Sequence, residues 1–214
     1  MNAASTWNEE RANALSHGLG AILSAAGLIL LIMQSVKTGS LLHACGSIAF
    51  GGSLVVLYVC STLLHSSSDE KSMIRYEMLD HAAIYILIAG TYTPFLLLLR
   101  NQTLGLAMLG IVWLLAMVGV SMKLAFPGRF MTFSIGQYLA MAWLVVLIIR
   151  PLQLVLPHKG MFWLLLGVLL YSIGSIFYFW RTVRYHHTVW HLFVVAGSVC
   201  HFICVYGYVL PLLA

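Results

Sequence analysis

Three histidines, an aspartate and a serine are the residues that could carry chemistry in this otherwise apolar chain. His187 and His191 are four residues apart, so on a helix their imidazoles share one face and lie about 6 Å apart along the axis. Two imidazoles at that spacing can bind one metal ion, and His65 supplies a third from another part of the chain. Three histidines with an open fourth position are the ligand set of a catalytic zinc, although other divalent metals also bind imidazole nitrogen.

Asp80 and Ser61 are the candidate catalytic residues beside such a metal. Ser61 precedes His65 by one helical turn and lies on the same face. A carboxylate near a metal site can hold a water molecule and accept its proton, and a serine hydroxyl can orient the water or an acyl group. Because zinc polarises carbonyls and lowers the pKa of its bound water toward about 7, the set predicts a Lewis-acid hydrolase.

The composition shows what kind of protein must position these residues. Lys, Arg, Asp and Glu make up 8% of the 214 residues, whereas soluble domains carry roughly 25%. Apolar residues reach 61%. These values exclude a soluble globular domain, a disordered chain and a nucleic-acid-binding module. The Lys and Arg residues are scattered along the chain, so we attribute its net positive charge to orientation in a membrane rather than to phosphate binding.

Seven stretches free of Lys, Arg, Asp and Glu are each at least 19 residues long, and a helix needs about 20 largely apolar residues to cross a bilayer. The stretches are continuously apolar, which favours helices over a β-barrel. We predict an all-α, seven-transmembrane helix bundle that forms one integral membrane domain over residues 1–214, with a longer loop at 69–80. The predicted helices are roughly 12–36, 40–65, 79–99, 103–123, 130–150, 160–181 and 186–212.

The basic residues of the short loops predict the orientation of this bundle. Seven Lys and Arg residues lie on the side of the N-terminus and four on the opposite side. Since cytoplasmic loops carry the excess of basic residues, we expect a cytoplasmic N-terminus and a C-terminus outside. We expect a multi-pass protein of the cell membrane, the inner or plasma membrane of a bacterium.

The order of the helices predicts that four candidate residues share one leaflet. Even-numbered helices end, and odd-numbered helices begin, at the same membrane surface. His65 ends the second helix, Asp80 opens the third, and His187 and His191 open the seventh, so all four lie in the cytoplasmic leaflet. Ionisable groups within a membrane are costly and mark functional sites. A site at this depth favours a membrane lipid as substrate or ligand, reaching the site sideways.

Each candidate residue also has a structural interpretation. An intramembrane histidine can be a hydrogen-bonded packing residue, as we expect for His17, His81 and His201. Asp80 can be the N-cap of the third helix, and Ser61 can bond back to its own helix. From spacing alone, a metal site and a set of packing residues both remain open.

Four segments carry a more specific resemblance to a known family. They resemble the bacterial hemolysin III family, which is similar to the adiponectin and progestin receptors and, more distantly, to the alkaline ceramidases. The segments are residues 10–18 (ERANALSHG), Ser61 with His65, residues 79–94 (LDHAAIYILIAGTYTP), and His187 with His191 followed by residues 193–202 (FVVAGSVCHF).

The resemblance implies a seven-helix fold with a cytosolic N-terminus and a zinc ion held by three histidines, matching His65, His187 and His191. The family's aspartate matches Asp80 and acts through the metal-bound water, and its serine matches Ser61. The receptor branch carries a long cytoplasmic N-terminal region, whereas residues 1–11 precede the first predicted helix here. A hormone receptor is therefore not the expected function.

Two functions remain as hypotheses. The first is a zinc-dependent integral membrane hydrolase that acts on an amide or ester bond of a lipid. The second is a non-enzymatic membrane protein, such as a hemolysin-like cytolysin, a channel or a sensor, in which the metal is structural.

Overall fold

The computed structural model of the chain describes residues 3–127, 129 and 131–213, and these residues form helices and short connections without a strand. A π-helical turn, Val205–Val209, and a 3-10 turn, Leu210–Leu212, follow the last α-helix. The α-helices of the described residues are α1 (Ala3–Thr38), α2 (Leu41–Ser66), α3 (Glu70–Leu98), α4 (Thr103–Ala125), α5 (Met131–Trp143), α6 (Val145–Val155), α7 (His158–Phe179) and α8 (His186–Cys204).

Seven helical segments of the described residues are long and apolar enough to cross a membrane. Helices α5 and α6 are separated only at Leu144, and together they make the fifth span, Thr132–Val155. The last span joins α8 to the two turns that follow it and ends at Leu212. The predicted all-α, seven-transmembrane fold is therefore confirmed, and the predicted start of the fifth helix, at residue 130, lies outside the described residues.

Three predicted helix ends are wrong for a common reason. Helix α1 begins at Ala3 instead of 12, α3 begins at Glu70 instead of 79, and α6 ends at Val155 instead of 150. A charged residue interrupts an apolar stretch without interrupting a helix, because its side chain can extend into water from the end of a span. Gaps between charges therefore located the spans but did not locate the ends of the helices.

Helix α3 begins at a cap that replaces the predicted loop at 69–80. The Asp69 carboxylate accepts hydrogen bonds from the Ser72 amide, at 2.9 Å, and from the Ser72 hydroxyl, at 2.8 Å. Both bonds lower the pKa of the exposed Asp69 below its usual value, and the bond from the hydroxyl has the larger effect. Asp69 is the N-cap of α3, so Asp80 lies inside the helix and its interpretation as an N-cap is wrong.

The spans pack so that the first and last helices meet. Helix α1 contacts both α2 and α8, α2 contacts α3, α3 contacts α4, and α7 contacts α8. The contact between α1 and α8 brings the first half of α1 beside the end of α2 and the start of α8. Three segments that are far apart in sequence therefore share one end of the bundle.

Helices α2 and α3 approach each other closely at Gly90, which has no side chain to separate them. A Cβ atom at this position would lie 2.4 Å from the Ala49 carbonyl oxygen and 2.4 Å from the Ser53 Oγ. Small residues at helix contacts allow such close approach within membranes. This contact sets the distance between the helix that carries Ser61 and the helix that carries Asp80.

We predict that Gly90→Ala lowers the free energy of unfolding by about 1–3 kcal/mol, the usual cost of overpacking. Thermal unfolding of the purified protein in detergent measures the change. Gly52→Ala is the matched control, because no atom of a neighbouring helix lies within 4 Å of its added Cβ and alanine is the better helix former. Equal melting temperatures for the two variants would show that the close approach at Gly90 is unimportant.

Candidate metal centre

The three predicted metal ligands lie together at one end of the bundle. Side-chain nitrogens of His65, His187 and His191 are all within 4.8 Å of one another. His65 comes from the last turn of α2, and the other two come from the first two turns of α8. Their ring centroids are 4.6–5.1 Å apart. Zinc–nitrogen bonds are about 2.1 Å long, so small ring rotations would bring the three nitrogens onto one ion.

Hydrogen bonds from α1 fix the orientation of two of these rings. The Nδ1 atom of His65 is 2.6 Å from the Glu10 Oε2. The Nδ1 atom of His191 is 3.1 Å from the Ser16 Oγ and 3.3 Å from the Asn13 carbonyl oxygen. Carboxylate and carbonyl oxygens only accept hydrogen bonds, so each Nδ1 carries the hydrogen and each Nε2 keeps a lone pair.

The two Nε2 atoms fit a metal ion. Both are buried and have no hydrogen-bond partner among the described residues. Leaving a buried nitrogen without a partner costs about 1–3 kcal/mol, which a metal bond would offset. Histidine ligands of metals commonly donate their other ring N–H to a carboxylate or a carbonyl oxygen, as both rings do here. The donor set and the tautomers therefore suit a divalent metal that binds imidazole nitrogen.

Asn13 locks α1 against α8 at the same level. Its side-chain Oδ1 accepts a hydrogen bond of 2.5 Å from the Thr188 hydroxyl, and its backbone oxygen faces the His191 ring. The Ser16 hydroxyl donates to that backbone oxygen at 2.8 Å, which leaves its own oxygen free to accept from the His191 N–H. These hydrogen bonds give the Asn13 oxygens, the Ser16 and Thr188 hydroxyls and the His191 Nδ1 defined donor or acceptor roles.

Ser61 and Asp80 lie beside the three histidines. Ser61 is fully buried, and its hydroxyl is 2.7 Å from the Nδ1 of His17 on α1. The hydrogen-bond partner of Ser61 therefore lies on a neighbouring helix, α1. Asp80 is buried, 6% exposed, and lies close to both Ser61 and His65. The His17 ring also stacks on His191 with centroids 3.5 Å apart, so His17 connects the serine to the histidine group.

An apolar cavity extends from this site into the bundle. Its volume is about 130 Å³. One end of the cavity is lined by His17, Asp80 and His81. His201 lies on the wall further into the bundle. It follows His191 by ten residues, which is about 15 Å along the axis of α8. Between these ends the wall consists almost entirely of aliphatic and aromatic side chains from α3, α5, α6, α7 and α8. Asp80 is the candidate site residue that opens onto this cavity.

Comparison with known proteins identifies the family of this chain. The family model described as "Haemolysin-III related" matches residues 5–202. The chain belongs to this family. Residues 5–202 include all three histidines as well as Ser61 and Asp80, so the haemolysin-III match covers the whole of the candidate site.

The chain is also similar to individual relatives over most of its length. It is 45% identical to "Hemolysin-3 homolog" of Bacillus subtilis over 203 residues, which are 95% of both chains. It is 46% identical to "Hemolysin-3" of Bacillus cereus over 95% of this chain and 93% of the relative. The human "Monocyte to macrophage differentiation factor" is 26% identical over 95% of this chain and 85% of its own length.

Sequence reasoning found the three histidines of this haemolysin-III site but missed the residues that orient them. Glu10, Asn13 and Ser16 all lie in the segment that carries the family resemblance, yet no role in orienting the histidines was predicted for them. His17 was expected to be a hydrogen-bonded packing residue, and its hydrogen bond to Ser61 agrees with that expectation, but the identity of the partner was not predicted. The unusual density of polar residues at 9–17, ahead of a long apolar stretch, is the feature that could have identified them.

We predict that His187→Ala and His191→Ala each remove most of the bound metal, from about one ion per chain in the wild type. Elemental analysis of the purified protein measures this. His186→Ala is the matched control, because this neighbouring ring lies near the Phe177 carbonyl oxygen, at 3.2 Å, and outside the three-histidine group. Equal metal content in all four proteins would contradict a metal site here.

We also predict that Glu10→Gln weakens metal binding about 10–100-fold, the usual effect of removing a group that orients a ligand. The amide is nearly the same size as the carboxylate but does not stabilise the ring tautomer through a charge. Competition with a chelator of known affinity gives the dissociation constant. Glu9→Gln, which removes a neighbouring charge, should leave it unchanged, and a similar loss in both variants would contradict a role for Glu10.

Proposed function

We propose that this chain is a zinc-dependent integral membrane hydrolase that cleaves an amide or ester bond in a lipid. The observation that carries the proposal is the pair of buried Nε2 lone pairs, on His65 and His191, beside the buried Asp80 at one end of an apolar cavity. A structural metal needs only the ligands. The buried carboxylate and the cavity are the features that a hydrolase would use.

His65, His187 and His191 would hold the zinc ion. Three imidazoles leave a coordination position open, as in catalytic rather than structural zinc sites. When bound, zinc supplies a Lewis acid that polarises a carbonyl group and makes a water molecule more acidic. The Glu10 carboxylate and the Asn13 carbonyl oxygen keep two of the ligand rings in the tautomer that this requires.

Asp80 is the proposed general base. Its carboxylate is buried, faces the cavity and lies near His65, so it can accept a hydrogen bond from a water molecule at this end of the cavity and take its proton. The single hydroxyl hydrogen of Ser61 can be donated either to this carboxylate, which it then positions, or to the carbonyl oxygen of an acyl group. The hydrogen bond between Ser61 and His17 fixes the hydroxyl between α1 and α3.

The cavity supports a lipid as the substrate. Its apolar wall suits an acyl chain, while the polar groups at the end near Asp80 suit the amide or ester that joins the chain to a head group. We place this end at the cytoplasmic surface, as the distribution of basic residues predicts. The Bacillus relatives support the plasma membrane of a bacterium as its location.

A non-enzymatic membrane protein is the second candidate function. The names of the two Bacillus relatives favour it, since one is called a hemolysin and the other a hemolysin homologue. In this case the three histidines would hold a structural metal that ties α2 to α8, and Asp80 would have no chemical role. The two candidates differ in what happens when Asp80 alone is changed.

We predict that Asp80→Asn lowers lipid hydrolysis by about 10²–10⁴-fold while the metal stays bound, because an amide cannot accept the proton of water. The assay measures fatty acid released from lipid amides and lipid esters by purified protein in nanodiscs, together with the metal content. Asp69→Asn is the matched control, since Asp69 is an exposed helix cap. Unchanged turnover in Asp80→Asn, or metal-loaded wild type that hydrolyses neither class, would favour the non-enzymatic candidate.

A further inference from the structure

His201 is a buried polar residue that the proposed chemistry does not use. It lies on α8, is 4% exposed and lines the cavity. Its Nε2 is 3.2 Å from the Leu164 carbonyl oxygen of α7. Gly167 allows this approach, because a Cβ there would lie 2.3 Å from the same ring nitrogen. One edge of the ring is therefore held against the backbone of α7.

The contact with Leu164 fixes the tautomer of the His201 ring. A carbonyl oxygen only accepts hydrogen bonds, so Nε2 carries the hydrogen and Nδ1 keeps a lone pair. That Nδ1 is buried and has no hydrogen-bond partner among the described residues. A buried acceptor without a donor is unfavourable, and it indicates that something outside the chain donates to it.

Two tyrosine hydroxyls on this part of the cavity wall are satisfied within the chain. The Tyr92 hydroxyl donates to the Met141 and Ala142 carbonyl oxygens, at 3.0 and 2.8 Å. The Tyr171 hydroxyl is 2.8 Å from the Ser198 Oγ. Among the described cavity residues, only His17, at the metal end, and His201 have a buried side-chain atom without a partner. Away from the metal end, His201 is thus the described cavity residue that leaves a buried acceptor without a donor.

We propose that the Nδ1 atom of His201 accepts a hydrogen bond from a hydroxyl group carried partway along the acyl chain of the bound lipid. The ligand class is therefore a hydroxylated acyl chain rather than an unsubstituted one. The inference rests on the proposed function in one respect, which is that the head of the bound lipid lies at Asp80.

The depth of His201 gives the position of the hydroxyl group. His201 follows His191 by ten residues, a rise of about 15 Å along the helix. An extended chain advances about 1.2 Å per bond, as the backbone does, so about 12 bonds separate the two levels. The hydroxyl is expected near the twelfth carbon, and a hydroxyl close to the carboxyl end would lie too near the metal to reach Nδ1.

The test compares binding of three fatty acids of equal length to the purified, full-length, metal-loaded protein. The probes are octadecanoic acid, 12-hydroxyoctadecanoic acid and 2-hydroxyoctadecanoic acid, offered pairwise in equal amounts to the delipidated protein. Mass spectrometry of the lipid that remains after gel filtration gives the ratio. We expect the 12-hydroxy acid to exceed the unsubstituted acid by roughly three- to tenfold, the value of one hydrogen bond, and the 2-hydroxy acid to show no such excess.

The outcomes separate this inference from the proposed function. Equal retention of the 12-hydroxy and unsubstituted acids would overturn the inference alone, because the cavity would still hold an acyl chain. An equal excess for both hydroxy acids would overturn it as well, since polarity and not position would decide. Retention of none of the three would overturn both the inference and the lipid substrate of the proposed function.

Two variants locate the preference on His201. His201→Leu keeps a side chain that fits an apolar wall, and we expect it to bind the unsubstituted acid while losing the excess of the 12-hydroxy acid. Thr91→Val is the matched control, because it removes a hydroxyl from the same cavity and should keep the preference. If a folded His201→Leu protein keeps the preference for the 12-hydroxy acid, the inference is overturned. The comparison of the two hydroxy acids in the wild type tests the inference even if this variant does not fold.

Discussion

A polar atom buried inside a membrane bundle needs a partner, because neither lipid nor an apolar core supplies one. The arrangement of this protein around its three histidines follows from that constraint. Two Nδ1 atoms find acceptors on α1, and the two Nε2 atoms that face inward have none. The chain therefore satisfies the Nδ1 of each of these two rings, on His65 and His191, and leaves the Nε2 for a ligand from outside the chain.

Helix α1 contributes no predicted metal ligand, yet the site depends on it. Glu10, Asn13, Ser16 and His17 lie within two helical turns and contact residues of α2 and α8. Because α1 packs between these helices, its polar first half positions both groups of ligands at once. A site built from α2 and α8 alone would have rings free to rotate and change tautomer, and metal affinity depends on both.

The sequence was sufficient to place the histidines in one leaflet but not to orient them. Helix order fixes which ends meet at a surface, so His65, His187 and His191 could be predicted as a group. It does not fix the rotation of each helix about its axis, and therefore the partners of Glu10 and His17 were not predictable. Charge gaps failed for a different reason at Glu70 and Val155, since a charged residue can interrupt an apolar stretch without ending the helix.

The membrane also changes what can make the proposed site selective. An acyl chain that moves from the bilayer into an apolar cavity leaves one hydrocarbon environment for another, so burial alone contributes little free energy. Apolar contacts with residues such as Ile148 and Leu152 can then limit the length and shape of the chain but discriminate weakly between lipids. Selection must come from the few polar atoms on the wall, because a mismatched hydrogen bond in an apolar cavity costs far more than a mismatched methylene group. In this fold those atoms lie at different depths of the cavity, with the Asp80 carboxylate at the metal end and the His201 Nδ1 further along α8.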